Sequence, residues 1–155
     1  MPTEIERKFL VNADKWAVVD KDTHSIEQGY IMNTVKKTVR VRTYDDKGFI
    51  TIKGKTKGIT RPEFEYEIPL QDAKYLLSNF CNATIKKLLH KVNYRNNTWE
   101  VDEFLGANKG LLLAEIELDT ADQTFYSPEW LNEEVSHDKR YYNAYLVRHP
   151  FTSWK

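Results

Sequence analysis

The chain holds a single cysteine, Cys81, so no intramolecular disulfide can form, and a reducing, cytoplasmic setting is expected. No apolar run approaches the ~18 residues that a spanning helix needs. Nothing near the first residues has the apolar core of a signal peptide, so neither membrane insertion nor export is expected. Net charge is absent too. Lys plus Arg and Asp plus Glu balance at 23 each, which removes the bulk basic footprint of a nucleic-acid-coating protein. The four histidines, His24, His90, His137 and His149, show no metal-ligand spacing and are expected to be structural or at the surface. There is no repeat, low-complexity tract or linker, and the 155 residues are expected to form one domain, 1–155, with its own core.

What is present is alternation. Eight segments read as strands: Ile5–Val11, Ser25–Met32, Thr38–Tyr44, Phe49–Lys55, Glu63–Pro69, Leu88–Tyr94, Thr98–Phe104 and Leu112–Leu118. Asp45–Gly48 and Arg95–Asn97 have the chemistry of hairpin turns, and Gly58–Pro62 reads as a longer loop. Helical spacing is clear in LQDAKYLLSNF, where Leu70, Ala73, Leu76, Leu77 and Phe80 share a face. Shorter helices are expected near Ala121–Phe125 and over Pro128–Val135, the latter from its Ser127-Pro128 start signal. Many strands with few helices favour an α+β fold, a closed or nearly closed antiparallel sheet with helices packed outside.

The polar faces of these strands are unusual. Glu4, Glu6 and Lys8 alternate in EIERK; Arg40 and Arg42 in VRVR; Thr51, Lys53 and Lys55 in TIKGK. Glu63, Glu65 and Glu67 alternate in EFEYE, Glu100 and Asp102 in WEVD, and Glu115 and Glu117 in AEIEL. On a strand, residues two apart lie on one face about 7 Å from each other. One such strand would be an ordinary solvated face. Six of them, several with like charges as neighbours, make better sense as walls of one charged cavity, because like-signed neighbours repel on an open sheet. The apolar sides would then form the barrel's exterior, the reverse of a small barrel with an apolar filling.

Clustered carboxylates without His or Cys suit hard cations such as Mg²⁺ or Mn²⁺. Arg and Lys suit phosphate, Arg through its planar fork and Lys as a point charge. Both together suit phosphoryl transfer, which needs positioning and charge neutralisation more than covalent chemistry.

EIERK, EQGY (Glu27–Tyr30), VRVR, TIKG (Thr51–Gly54), RPEFEYEIP (Arg61–Pro69), WEVDEF (Trp99–Phe104), AEIEL and EVSHDKRYYN (Glu134–Asn143) occur in an order that resembles the CYTH superfamily, the triphosphate tunnel metalloenzymes. The short form is most similar to bacterial members that hydrolyse inorganic tripolyphosphate. The resemblance implies a closed eight-stranded antiparallel tunnel that binds a triphosphate group with divalent metal. It implies metal binding by Glu4, Glu6, Glu115 and Glu117, and phosphate binding by Lys8, Arg40, Arg42, Lys53, Arg61 and Lys87. Glu63, Glu65 and Asp102 are implied as further interior acids that orient water or help hold a second metal. The family's usual Lys-x-Arg is here Lys87-Leu88-Leu89, so one phosphate contact is expected to be missing, and Arg95 lies in a presumed turn.

The expected activity is metal-dependent hydrolysis of tripolyphosphate to pyrophosphate and phosphate, with nucleoside triphosphates as side substrates. Thiamine triphosphatase and class IV adenylyl cyclase are the alternatives within the family, and a non-catalytic polyphosphate or nucleotide sensor is the alternative outside enzymes. The partner is a small triphosphate, with neither nucleic acid nor membrane, on a monomer or homodimer. Tyr30 and Lys53 are catalytic candidates: an ammonium beside a phenol favours phenolate, which could deprotonate the attacking water. Tyr30 as a structural hydrogen-bonding group and Lys53 as a plain phosphate ligand is the equal alternative. GKTKG lacks the spacing of a phosphate-binding loop. Lys139 and Arg140 could close one tunnel end.

Overall fold

In a computed structural model, which describes residues 2–154, the alternation resolves into nine strands and three α-helices, with three one-turn 3-10 helices. In chain order they are β1 (Thr3–Val11), α1 (Ala13–Trp16), β2 (Asp22–Asn33), β3 (Thr38–Tyr44), β4 (Lys47–Lys53), β5 (Thr60–Ile68), α2 (Leu70–Phe80), β6 (Thr84–Tyr94), β7 (Asn97–Phe104), β8 (Leu112–Glu117), β9 (Leu131–Glu134) and α3 (Asn143–Leu146). The sheet order is β5-β4-β3-β2-β6-β7-β8-β1-β9, and β5 also pairs with β1, which closes eight strands into an antiparallel barrel. Along one edge of β1, Glu4 meets Arg61 of β5, and farther on Phe9 meets Glu134 of β9; β8 runs along the other edge. The ninth strand is therefore a short rider beyond the point where the barrel closes.

Local chemistry explains the hairpins. Arg95 and Asn96 take φ of 46° and 68°, two consecutive left-handed residues of the kind that matches strand twist in a tight hairpin. Asp45 takes φ 53° and accepts a hydrogen bond from the Ser25 amide, so its side chain fixes the turn it helps to make. The expected loop at Gly58–Pro62 is shorter than read, because Thr60–Pro62 already belong to β5 and pair with β1.

Two expected helices are not helices. Residues 121–125 form a turn and an irregular stretch, and Pro128–Val135 contains β9 instead. The free edge of β1 offers backbone groups that need partners, and Trp130 is drawn into an aromatic cluster with Trp16 and Trp99 at centroid distances of 4.9 and 5.8 Å. Tertiary pairing overrides the Ser-Pro start signal there.

The apolar faces point outward, as the alternation implies. One exterior cluster gathers Phe9, Trp99, Val101, Ala114 and Ile116 under Trp16 and Trp130. A second sets Val41 under Ala73 and Leu77 of α2. Helix α2 lies so close that a Cβ on Gly48 would stand 2.7 Å from the Ala73 Cβ, and one on Gly29 would stand 2.9 Å from the Cys81 Cβ. Each large side chain buried here contributes about 1.5–3 kcal/mol. A third cluster plugs the barrel. Ile85, Phe104 and Leu113 continue the inward rows of Lys87, Asp102 and Glu115, and they pack with Val135 and Leu146 from the C-terminal segment. Deep between plug and wall, charged groups are buried in numbers that ordinary cores do not hold: Glu4, Lys8, Lys53, Lys87 and Asp102 are each 3–9% exposed.

Candidate functional site

Register places the charges. Glu6 lies opposite Glu117, Lys8 opposite Glu115, and Glu115 opposite Glu100; Arg40 lies opposite Thr51, Thr51 opposite Glu65, and Lys53 opposite Glu63. With β1 and β5 closing the circle, all these side chains converge. A cavity of about 80 Å³ is lined by Glu6, Lys8, Tyr30, Thr38, Arg40, Arg42, Lys53, Arg61, Lys87, Leu89, Glu100, Asp102, Glu115, Tyr142 and Asn143. Ten of the sequence-derived site residues are thus on one wall. Glu4 sits beside it and lines an adjoining crevice with Glu6, Lys8 and Arg61. Glu63 and Glu65 touch this ring from outside the cavity, through Lys53 and through Arg40 and Arg42 respectively, and Glu117 lies opposite Glu6 in the β1–β8 register.

Four charge groups make up the wall. In the first, the Glu4 carboxylate accepts from Lys53 Nζ at 2.8 Å and Arg61 Nε at 2.9 Å. Burial alone would raise its pKa, but Lys53 and Arg61 outweigh burial and hold it far below the usual carboxylate range. Glu63, 3.4 Å from Lys53, is pushed up to about 7, first by burial and then by Glu4. In the second group, Lys8 sits 3.2 Å from Glu115 and 3.8 Å from Glu6. Burial would favour its neutral form, yet the two carboxylates raise its pKa, and Glu115 is held at about 2 against burial by Lys8, Lys87 and Lys53. Glu6 is pushed up to about 8 by burial, Glu115 and Glu4.

In the third group, Lys87 donates to Asp102 at 2.7 Å and to Asn143 at 3.0 Å. Burial pushes Lys87 down and Asp102 up, each toward neutrality, with their mutual attraction offsetting part of the effect. In the fourth, Glu65 lies 3.5 and 3.6 Å from Arg40 and Arg42, and Thr51 links it to Arg40. The Nε atoms of both arginines are sealed from solvent without any acceptor, and burial followed by Arg40 lowers the Arg42 pKa. These two buried guanidinium donors have no partner among the described residues, and both arginines line the cavity.

The carboxylates also fit a divalent cation. Burial first, and then Glu115 and Glu4, push Glu6 up to about 8, and a bound cation would favour its ionised form as an oxygen ligand. Among the described residues no group of three or more His, Cys, Asp or Glu side chains is placed to hold one ion.

The Tyr30–Lys53 arrangement departs from expectation in one respect. Both line the cavity, but the Lys53 ammonium is hydrogen-bonded to Glu4, and Tyr30 acts electrostatically on Arg61. Leu89 is 4% exposed and lines the cavity where an arginine was expected, while Arg95 lies outside the barrel over the rings of Tyr94 and Tyr126. His90 is held outside the cavity by Thr23, Glu103 and Trp16. Thr38, Tyr142 and Asn143 join the wall without having been singled out. Glu100, which alternates with Asp102 in WEVD, lines the wall as that alternation implies, though no role was assigned to it. Tyr142 and Asn143 come from an irregular segment that no periodicity marks.

Beyond Thr38, Arg61, Tyr142 and Ala144 the cavity adjoins an open basin of about 420 Å³. Lys55, His137, Lys139, Arg148 and His149 line it, and no carboxylate does. Lys139 thus stands at the tunnel end as expected. Arg140 turns away to Asp138 at 2.7 Å.

The profile of the CYTH domain matches residues 2–142. An inorganic triphosphatase of Acetivibrio thermocellus is 45% identical over 156 aligned positions, which cover 100% of this chain and 99% of that protein. Another inorganic triphosphatase, from Nitrosomonas europaea, is 34% identical over 94% of this chain and 97% of its own length. The solved structure of the inorganic triphosphatase NE1496 superposes with a TM-score of 0.68 at 30% identity, covering 95% of each chain.

Proposed function

Because the chain belongs to the CYTH-domain family, we propose that its tunnel hydrolyses inorganic tripolyphosphate to pyrophosphate and phosphate with a divalent metal, Mg²⁺ or Mn²⁺. The protein is a triphosphatase. The observation that supports this substrate is one cavity lined by Lys8, Arg40, Arg42, Lys53, Arg61 and Lys87 together with Glu6 and Glu115. A linked chain of phosphates suits the cations and, with a divalent metal, the acids.

Glu4, Glu6, Glu115 and Glu117 are the proposed metal-binding acids; Glu6 and Glu115, which line the cavity, would ligate directly and Glu4 and Glu117 would support them, with Asp102, Glu63 and Glu65 orienting water or helping to hold a second ion. When bound, the metal supplies charge neutralisation on phosphate oxygens. Lys8, Arg40, Arg42, Lys53, Arg61 and Lys87 clamp the chain in line. Water attacks the terminal phosphorus, the bridging P–O bond breaks, and pyrophosphate leaves with the bond's electron pair. The lysines and arginines stabilise the charge that builds on the leaving oxygens. The basin beyond Tyr142 offers room for an organic group, which favours nucleoside triphosphates as secondary substrates and gives thiamine triphosphate its one structural argument. We place the protein in the cytoplasm as a monomer or homodimer acting on a small anion, not on nucleic acid. Among the described residues no helix is long and apolar enough to cross a membrane.

Purified protein should release phosphate from tripolyphosphate faster than from ATP or thiamine triphosphate with Mg²⁺ or Mn²⁺, and none with EDTA. Stable binding of tripolyphosphate without release would convert the tunnel into a sensor. Tyr30 is proposed as the base for the water, its phenol lining the cavity near Arg61. Tyr30→Phe should then lower kcat by about 10²-fold, the lower range for a positioned general base. Full activity of that variant, including at alkaline pH, would reduce Tyr30 to a hydrogen-bonding wall residue.

A further inference from the structure

The C-terminal segment does more than plug the barrel. Leu146, fully buried, anchors α3 against the inward-facing Phe104 and Leu113, and three residues earlier Asn143 reaches the cavity wall. Its Oδ1 accepts from Lys87 Nζ at 3.0 Å and from Gln28 Nε2 at 3.2 Å. An ammonium can only donate, so the Asn143 atom facing Lys87 is fixed as the oxygen, and the amide nitrogen must point the other way. Among the described residues that Nδ2 donates to no protein acceptor, and it is not one of the sealed atoms. Asn143 lines the same cavity as Lys87 and Arg40, and this nitrogen is its unused donor.

We propose that Asn143 is a substrate-binding residue in which Oδ1 holds the Lys87 ammonium in place while the Nδ2 hydrogens donate to a phosphate oxygen of the bound polyanion. This rests on the triphosphatase reading and deepens it. An amide suits the position because it does both jobs at once. A carboxylate would keep the Lys87 contact but repel the substrate, and a second cation would be forced against Lys87 at hydrogen-bond distance. The group arrives from outside the barrel strands, so the anion site is completed only when the C-terminal segment is docked.

Asn143→Asp separates the two roles, since it keeps the size of the side chain and the oxygen facing Lys87 and Gln28 while replacing the donor with a negative oxygen. The KM for tripolyphosphate should rise about tenfold or more, the factor that 1.4 kcal/mol represents. kcat should change far less, and the melting temperature should not fall. Asn143→Ser, neutral and smaller, should raise KM by a smaller factor and serves if the Asp variant does not fold. A KM unchanged in whichever variant folds, or a loss confined to kcat or to stability, would overturn the assignment and leave Asn143 a packing residue. Wild-type protein that releases no phosphate would dispose of the triphosphatase reading on its own. The contact would then be judged by calorimetry of tripolyphosphate binding with Mg²⁺ present, where the Asp variant must bind about tenfold more weakly than wild type and equal or absent binding would sink it.

Discussion

Glu115→Gln should lower tripolyphosphate turnover by on the order of a hundredfold or more, and raise the metal concentration needed for half-maximal rate. Glu115 lies between two strands that both present charge: Lys8 of β1 stands opposite it on one side and Glu100 of β7 on the other. It is the carboxylate that lysines keep ionised, at about 2, although burial opposes ionisation. An acid held charged against burial is available as a ligand at neutral pH, and its amide cannot replace that charge. The fold should survive, because Lys8 retains Glu6 at 3.8 Å, and Glu6 is pushed up to about 8 partly by Glu115 itself. Removing Glu115's charge lets Glu6 ionise more readily and supply the missing partner. The matching control is Glu117→Gln. That carboxylate is exposed and does not line the cavity, so its loss should cost about tenfold, the lower end of the range for groups that support a metal from outside. Equal losses for the two would mean that the metal sits nearer the rim than the register of β1 and β8 suggests.

The sequence made the barrel and its inward charges legible for one physical reason. A strand's period of two leaves no freedom about which residues share a face, so the inward position of Glu6 and Lys8, or of Arg40 and Arg42, followed once the strands were recognised. The tight turn at Arg95-Asn96 was readable from turn chemistry. What stayed hidden depends on contacts between distant segments. Trp130 and Leu131 carry a helix start signal two residues upstream, yet the open edge of β1 claims them as a strand. Asn143 and Tyr142 sit in a run with no period, and only the docking of Leu146 into the barrel's end brings them to the wall. The partner of Lys53 was hidden likewise. Alternation says that Lys53 points inward, whereas the closure of β5 on β1 decides that Glu4 and not Tyr30 receives its hydrogen bond. Leu89 shows the opposite case, where the residue's inward position was readable and the structure adds only that it stays dry, at 4% exposure.

Lys87→Met should destabilise the protein by about 3–5 kcal/mol, the cost of leaving one member of a buried ion pair alone. Lys87 and Asp102 are each about 4% exposed at the side chain and meet at 2.7 Å, and among the described residues Asn143 is the other hydrogen-bond partner of the ammonium. Without the lysine, the Asp102 carboxylate would face Leu89 across the strand pair and Leu113 on its other side, neither of which can receive a proton or donate a bond. It must then take up a proton to remain buried, so the loss should be largest well above the usual Asp pKa and shrink as pH falls toward the protonation of Asp102. The double variant Lys87→Met with Asp102→Leu removes both charges and their desolvation together, and replacements of this kind are often neutral or stabilising. Denaturant midpoints should therefore recover in the double variant while tripolyphosphate hydrolysis does not, since a tunnel that lacks Lys87 cannot neutralise that end of the polyanion. A double variant as unstable as the single one would mean that the pair is needed for the fold. Recovery of stability with activity still lost would mean that the buried charges persist in this barrel because the bound phosphates require them, at a cost that an apolar lining would spare.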